Sequence, residues 1–296
     1  METLRVSMVQ TTSHNTHEVN VEVLREAAAR AADEGATLLA LPEAAGLMDR
    51  DKAHARAQIT READDPYITA CREEAARRGL WIHSGSCPVK APDGRYFNHS
   101  VLVDPRGDII ARYNKIHLFD IHLDGRPSTG ESDRYAPGAE AVLADSPFGP
   151  LAMSVCYDLR FAHLYRDYAL SGATVFFIPS AFTVPTGRAH WEVLLRARAI
   201  ENGAYVIAAA QVGTHADGRV TWGHSLIVSP WGEVLADLGG DAPGQITVGL
   251  PLDAVTSARR QIPNLVNARD YSFCRVSSGA NPPSETSQHT PTGAYS

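Results

Sequence analysis

Residues 151–179 read LAMSVCYDLRFAHLYRDYALSGATVFFIP. A mostly apolar run over 151–156 leads into a segment with helical periodicity over 158–171, and a second apolar run, TVFFIP, follows. The pattern continues with a helix over 189–202 and a strand, AYVIAAAQ. Short apolar runs alternating with helices predict a layered α/β domain. In such folds the ends of strands face the crevice where ligands bind. Cys156 stands at the end of the first run, just before the charged turn YDLR. A thiol inside a strand is ordinarily an inert hydrophobe, whereas one at this edge is placed for chemistry.

Upstream, LRVSMVQ (4–10) reads as a strand and NVEVLREAAARAADEGA as an alanine-rich helix stopped at Gly35. TLLALPE (37–43) is a short apolar run ending on Pro42 and Glu43, a second helix covers about 63–78, and LWIHSGSC (80–87) reads as one strand. RYFNHSVLVDPRGDIIARYNK (95–115) predicts a hairpin, because two alternating runs flank the turn DPRG. Residues 116–140 form a long loop rich in Gly, Pro, Asp and Ser. Loops of that length in a compact domain are commonly functional or disordered. Downstream come strands in TWGHSLIVSP, GEVLAD and QITVGLPL and a short helix near 252–260. Without an internal boundary, the chain reads as a single domain over 1–275. The Ser/Thr/Pro-rich tail, 276–296, reads as disordered or as an arm docking on a neighbour.

Composition narrows the function. A net charge of −7 and a pI near 5.9 argue against a nucleic-acid partner. No apolar run approaches a membrane span, and METLRVSMVQ lacks the pattern of an export signal. The four cysteines, Cys71, Cys87, Cys156 and Cys274, lie far apart with no CxxC pair, which predicts reduced thiols in a cytoplasmic protein.

Glu43, Lys115 and Cys156 each fall at the end of a predicted strand. A thiol attacks as thiolate and needs a base or a cation nearby. Glu43 suits the base that takes the thiol proton and passes it to a leaving amine. Lys115 suits a cation that lowers the thiol pKa and donates to the oxyanion, with the Tyr157 backbone N–H, at the start of the next helix, as a second oxyanion donor. Singly, each of these residues has an ordinary structural role, and the surrounding segments carry the decision.

ALPEAAGL, YNKIHLFD and SVCYDLRF, followed by IPSAFTVPTGRAHWEVLLRARAIEN and GHSLIVSPWGEVLA, in that order resemble the nitrilase (carbon–nitrogen hydrolase) superfamily over about residues 4–272. The resemblance implies a four-layer α-β-β-α sandwich, catalytic roles for Glu43, Lys115 and Cys156, and a homodimer paired through helices around the nucleophile. It implies no cofactor. A second family glutamate is matched by Glu131 of GESDRYAPG; a carboxylate there would keep Lys115 charged and oriented. HLFD, CYDLRF and TGRAHWEVLLRARAIEN are most similar to the Nit branch, whose members cleave the terminal primary amide of small carboxylate-bearing acids. Tyr157-Asp158 stands where nitrilases proper carry Trp-Glu, which disfavours nitrile hydrolysis. The substrate expected is a deaminated-glutathione-like amide. The alternatives are an omega-amidase substrate or an N-carbamoyl amino acid.

An anionic substrate needs a cation, and the planar fork of arginine suits a carboxylate. Arg160, four residues past Cys156, would lie one helical turn along and point into the pocket, unless an ion pair with Asp158 or a glutamate holds it. Phe182 would border the same pocket, while Arg188, Arg196 and Arg198 read as structural. His117 and His122 are five apart, the wrong spacing for ligands on one helix face, so no metal site is expected. The competing readings are a Cys–His thiol hydrolase and a non-catalytic binding member.

Overall fold

The computed structural model describes residues 3–121 and 129–275, so the tail expected over 276–296 and His122 lie outside the described residues. The chain opens with β1 (Thr3–Gln10) and α1 (His17–Asp33). Helix α1 buries Val21, Leu24, Ala28 and Ala31, a stripe at helical spacing. After β2 (Leu38–Ala40) comes a helix that periodicity does not reveal, α2 (Lys52–Gln58). It buries only Ala55, and Asp51 caps it by accepting from the N–H groups of Ala53 and His54. Helix α3 (Pro66–Arg78) is bounded by its cap Asp65 and by Gly79 in the left-handed region.

The strand expected over 80–87 is two strands, β3 (Trp81–His83) and β4 (Cys87–Lys90). Gly85 between them has φ +67°, and a Cβ there would stand 1.9 Å from the Pro42 carbonyl oxygen. Only glycine lets the chain turn so close to the loop that leads to Glu43. The expected hairpin is β5 (Tyr96–Val103) and β6 (Ile109–Asn114). In the long loop, β7 (Asp120–Ile121) and β8 (Thr129–Gly130) form a short ribbon.

The second half supplies β9 (Val142–Ala144), β10 (Leu151–Met153), α4 (Ala162–Leu170), β11 (Val175–Phe177) and α5 (Val184–Asn202). Then come β12 (Tyr205–Ala208), β13 (Val212–Thr214), β14 (Val220–Trp222), β15 (Leu226–Val228), β16 (Val234–Asp237), β17 (Gly244–Pro251) and α6 (Asp253–Gln261). Two expectations change here. The helix expected over 158–171 is a 3₁₀ turn, Cys156–Arg160, followed by α4, because Phe161 leaves helical geometry at φ −101°, ψ 83°. Arg160 and Tyr157 therefore ride on a tight turn and not on an α-helix. Helix α5 starts five residues before the expected 189, with Pro185 in its first turn, where its missing N–H costs nothing.

One sheet runs β17-β1-β2-β3-β5-β4 with β6 beside β5, and the other runs β16-β15-β12-β11-β10-β9. Alternation sorts the first sheet's side chains. Leu4, Val6, Met8, Leu38, Ala40, Leu102 and Tyr113 meet the second sheet's Leu151, Val175 and Ile207. The intervening Leu39, Leu41, Ile82, Val101 and Val103 pack with α1 and α3. Helices α4 and α5 cover the second sheet with Leu164, Tyr165, Trp191 and Leu195. The result is the four-layer α-β-β-α sandwich.

His83 sits in the layer between the sheets, its ring stacked on Phe177 at 4.3 Å. Burial lowers its pKa from 6.5 to about 3, so the folded protein keeps it neutral where the unfolded chain protonates it. Its contribution to stability is whole above the unfolded value and is lost as pH falls from 6.5 toward about 3. The loss approaches about 1.4 kcal/mol per pH unit. Urea unfolding of His83→Phe is expected to depend less on pH between 5 and 7 than that of the parent; equal slopes would assign the acid sensitivity elsewhere.

Candidate active site

The segment around Cys156 is bent by local hydrogen bonds. The Cys156 N–H donates to the Pro179 carbonyl at 2.9 Å, and its backbone lies at φ +51°, a region non-glycine residues seldom occupy. Asp158, fully buried, holds the bend. Its carboxylate accepts from the Val155 N–H at 2.8 Å and the Tyr113 hydroxyl at 2.6 Å. It also accepts from the His117 N–H at 3.0 Å and bonds the His117 ring Nδ1 at 2.7 Å. Residues 113 and 117 flank Lys115, so one carboxylate pins the lysine segment to the cysteine turn. Asp158 is thus fully engaged, and the ion pair weighed for it with Arg160 does not form.

Glu43 leaves β2 in a loop tied down on both sides. The Ala44 N–H donates to Ser86 Oγ at 2.9 Å, and Gln211 Nε2 donates to the Glu43 carbonyl at 2.8 Å. Ala44, like Cys156, has positive φ, +55°. The Glu43 carboxylate accepts at Oε1 from Lys115 Nζ (3.0 Å) and Asn98 Nδ2 (2.9 Å), and at Oε2 from the Ala181 N–H (2.8 Å). Lys115 Nζ also donates to Glu131 Oε2 at 2.8 Å, and Glu131 takes the Phe119 N–H at 2.7 Å. Asn98 Nδ2 reaches Glu131 Oε1 at 3.3 Å. The four residues expected to act together, Glu43, Lys115, Glu131 and Cys156, converge in one place.

The charges there are unequal to their usual state. Burial disfavours the Lys115 ammonium, but Glu131 and then Glu43 outweigh it and hold its pKa well above the ordinary value. The Cys156 thiol goes the other way. Burial and the Glu43 charge push its pKa well up, against a smaller pull from Lys115. The resting cysteine is therefore a neutral thiol that requires a base before it can attack.

Arg160 closes the turn that begins at Cys156. Its guanidinium lies 5.8 Å from the Tyr157 ring centroid and 5.6 Å from that of Phe182. Its Nη2 bonds His190 Nδ1 at 3.3 Å, and among the described residues it pairs with no carboxylate. Arg198 and Arg196 take structural places, with Nε on the Leu159 and Gly232 carbonyls. Arg188 stacks on Trp222. His117 is bound to Asp158 and stacked on Phe161, while His224 bonds Asp237. Neither histidine is in contact with the thiol.

Residues 5–260 match the family model for carbon-nitrogen hydrolases. The chain belongs to that family. This hydrolase is 41% identical over 239 residues to a protein of Yersinia enterocolitica named deaminated glutathione amidase, covering 79% of this chain and 82% of that one. Its fold superposes on the NitFhit protein of C. elegans with a TM-score of 0.83 at 34% identity, over 90% of this chain and 65% of that one. The amidase of Nesterenkonia sp. AN1, a mutant of which carries acrylamide added at its active-site cysteine, gives a TM-score of 0.72 at 28% identity. The match covers 88% of this chain and 98% of that one.

Sequence reasoning missed Asn98, Gln211 and the stapling role of Asp158. For Asn98 a signal existed, since strand alternation puts it on the same face as the apolar Leu102, where a polar side chain must find a partner. Removing one partner of a buried ion pair costs about 3–5 kcal/mol. Lys115→Met is expected to lose stability on that scale in urea melts, and Lys115→Met with Glu131→Gln is expected to recover part of it. No recovery would mean the two carboxylates do not share the lysine energetically.

Proposed function

We propose that this hydrolase is an amidase that cleaves the terminal primary amide of a small carboxylate-bearing substrate, of the deaminated-glutathione type, through a thioester on Cys156. One observation carries the reading: a buried ammonium shared by two carboxylates beside a buried neutral thiol. Glu43 takes the proton from Sγ as the sulfur bonds to the amide carbon. Two hydrogen bonds of Lys115 Nζ go to Glu43 and Glu131, leaving its third N–H for the oxyanion. The Tyr157 N–H, at the open end of the turn, is the second donor. Glu43 then passes the proton to the amide nitrogen, the C–N bond breaks and ammonia leaves. Glu43 next deprotonates a water, which attacks the thioester, and the acid departs as the thiol regains its proton.

Arg160 supports the choice of an acidic substrate: a guanidinium steadied by two aromatic faces and, among the described residues, paired with no carboxylate can offer its fork to one. The name of the Yersinia relative points the same way, and the cysteine adduct of the Nesterenkonia amidase supports the thiol as the nucleophile. Ammonia release should be compared across deaminated glutathione, alpha-ketoglutaramate, an N-carbamoyl amino acid, a neutral amide and a nitrile. Turnover of the anionic primary amides is expected to dominate. Alpha-ketoglutaramate as the best of the panel would make the enzyme an omega-amidase. Cys156→Ser is expected to abolish turnover, and retained activity would remove the thioester route. A charged hydrogen bond is worth about 1.5–3 kcal/mol. Arg160→Lys should therefore lower the anionic-to-neutral ratio of kcat/KM by about 10–150-fold; an unchanged ratio would make Arg160 scaffolding.

The same reading includes a homodimer in a reducing, cytoplasmic setting. All four cysteines are unpaired, and no helix among the described residues is long and apolar enough to cross a membrane. Val193 and Ile200 of α5 are 69% and 50% exposed, and Trp231 and Ile262 are 51% and 54% exposed. Ile200, Trp231 and Ile262 line one shallow cavity, an apolar patch of the kind that marks an interface. Light scattering is expected to give a dimer mass for the parent and a monomer mass for Ile200→Glu; a monomeric parent would exclude the pairing.

A further inference from the structure

Glu43 must take the thiol proton on one particular oxygen, and the hydrogen bonds around it decide which. A carboxylate oxygen offers two lone pairs. Oε1 receives both Lys115 Nζ, at 3.0 Å, and Asn98 Nδ2, at 2.9 Å, whereas Oε2 receives only the Ala181 N–H, at 2.8 Å. Lys115 alone cannot enforce this, because it fills one lone pair of Oε1 and leaves the other open, and the terminal torsion of a glutamate is soft. We propose that Asn98 is a positioning residue that occupies the second lone pair of Glu43 Oε1, so that Oε2 is left to receive the proton of Cys156. The inference rests on the reading of Cys156 and Glu43 as nucleophile and base.

The fold holds Asn98 for this task. Alternation along β5 turns Asn98 inward with Leu102, and its own carbonyl accepts the Lys115 N–H at 2.9 Å. The next residue, His99, faces the other way and is fixed by Asn114 at 2.7 Å and Glu62 at 3.0 Å. Asn114 pairs with His99 across the hairpin and immediately precedes Lys115. One rung of β5 and β6 thus sets the amide and the ammonium together. An amide is suited to the position because it donates without adding charge. A second lysine would make the two carboxylates and two ammoniums neutral overall, and so weaken the pull on the thiol proton.

The test compares Asn98→Ala and the isosteric Asn98→Asp, which keeps the shape and cannot donate while ionised. Two readouts are taken against pH: kcat and KM for a primary amide, and the rate of iodoacetamide labelling at Cys156 by peptide mapping. Both variants are expected to lose about 10–100-fold in kcat, as for impaired acid–base help, with KM changed far less. In Asn98→Ala the acid limb of the profile is expected to move to higher pH, because one donor to the ionised base is gone, and labelling at Cys156 is expected to slow. An acid limb that stays in place, with activity falling only in step with the folded fraction, would overturn the proposal, as would full activity in both variants. Should Asn98→Ala fail to fold, the kcat and labelling rate of Asn98→Asp carry the decision. Labelling needs no knowledge of the natural substrate, so it separates this inference from the choice of amide. Turnover retained by Cys156→Ser would instead bring down the underlying reading.

Discussion

The ammonium of Lys115 is 1% exposed and lies between two carboxylates, and the rest of the site is arranged so that this charge can stay there. A buried ion is costly unless it is paired and hydrogen-bonded with good geometry. Here Glu43 and Glu131 supply the pairing, and Asn98, Ala181 and Phe119 supply donors to the remaining carboxylate lone pairs. The group carries one net negative charge when ionised. Burial, and after it the charge of Glu43, raises the Cys156 thiol.

Holding four side chains from distant parts of the chain requires more than strand ends. Asp158 joins the cysteine turn to the segment on either side of Lys115, and Gln211 joins the second sheet's connecting segment to the Glu43 carbonyl and to Ser13. Both are buried polar groups with their partners present, so they specify one arrangement of the two sheets as well as stabilising it. The backbone strain falls in the same region. Among the described residues, Ala44, Cys156 and His224 are the non-glycine positions at positive φ, and the first follows Glu43 while the second is the buried thiol itself. Such conformations cost about 1–3 kcal/mol each and persist where the surroundings over-determine them.

Beside that fixed centre a guanidinium rests against two aromatic rings. Tyr157 and Phe182 present their faces to Arg160, and among the described residues no carboxylate neutralises the guanidinium.

The order of strands and helices was legible because apolar alternation and helical stripes are local properties. The segments around Glu43, Lys115, Glu131 and Cys156 were distinctive enough to carry the family resemblance by themselves. Local patterns were less informative where a tertiary contact overrides them. The strand over 80–87 breaks at Gly85 because Pro42 passes within contact distance, and the helix expected at 158 yields to a 3₁₀ turn held by Asp158. Asn98 could be assigned an inward face from alternation, but its partners could not, since Glu43 and Glu131 lie 55 and 33 residues away. Sequence alone determined which residues the chain offers for chemistry. Tertiary structure decided which oxygen, which amide and which carboxylate meet, because hydrogen bonds reach about 3 Å and only the packing of two sheets brings such distant residues within that range.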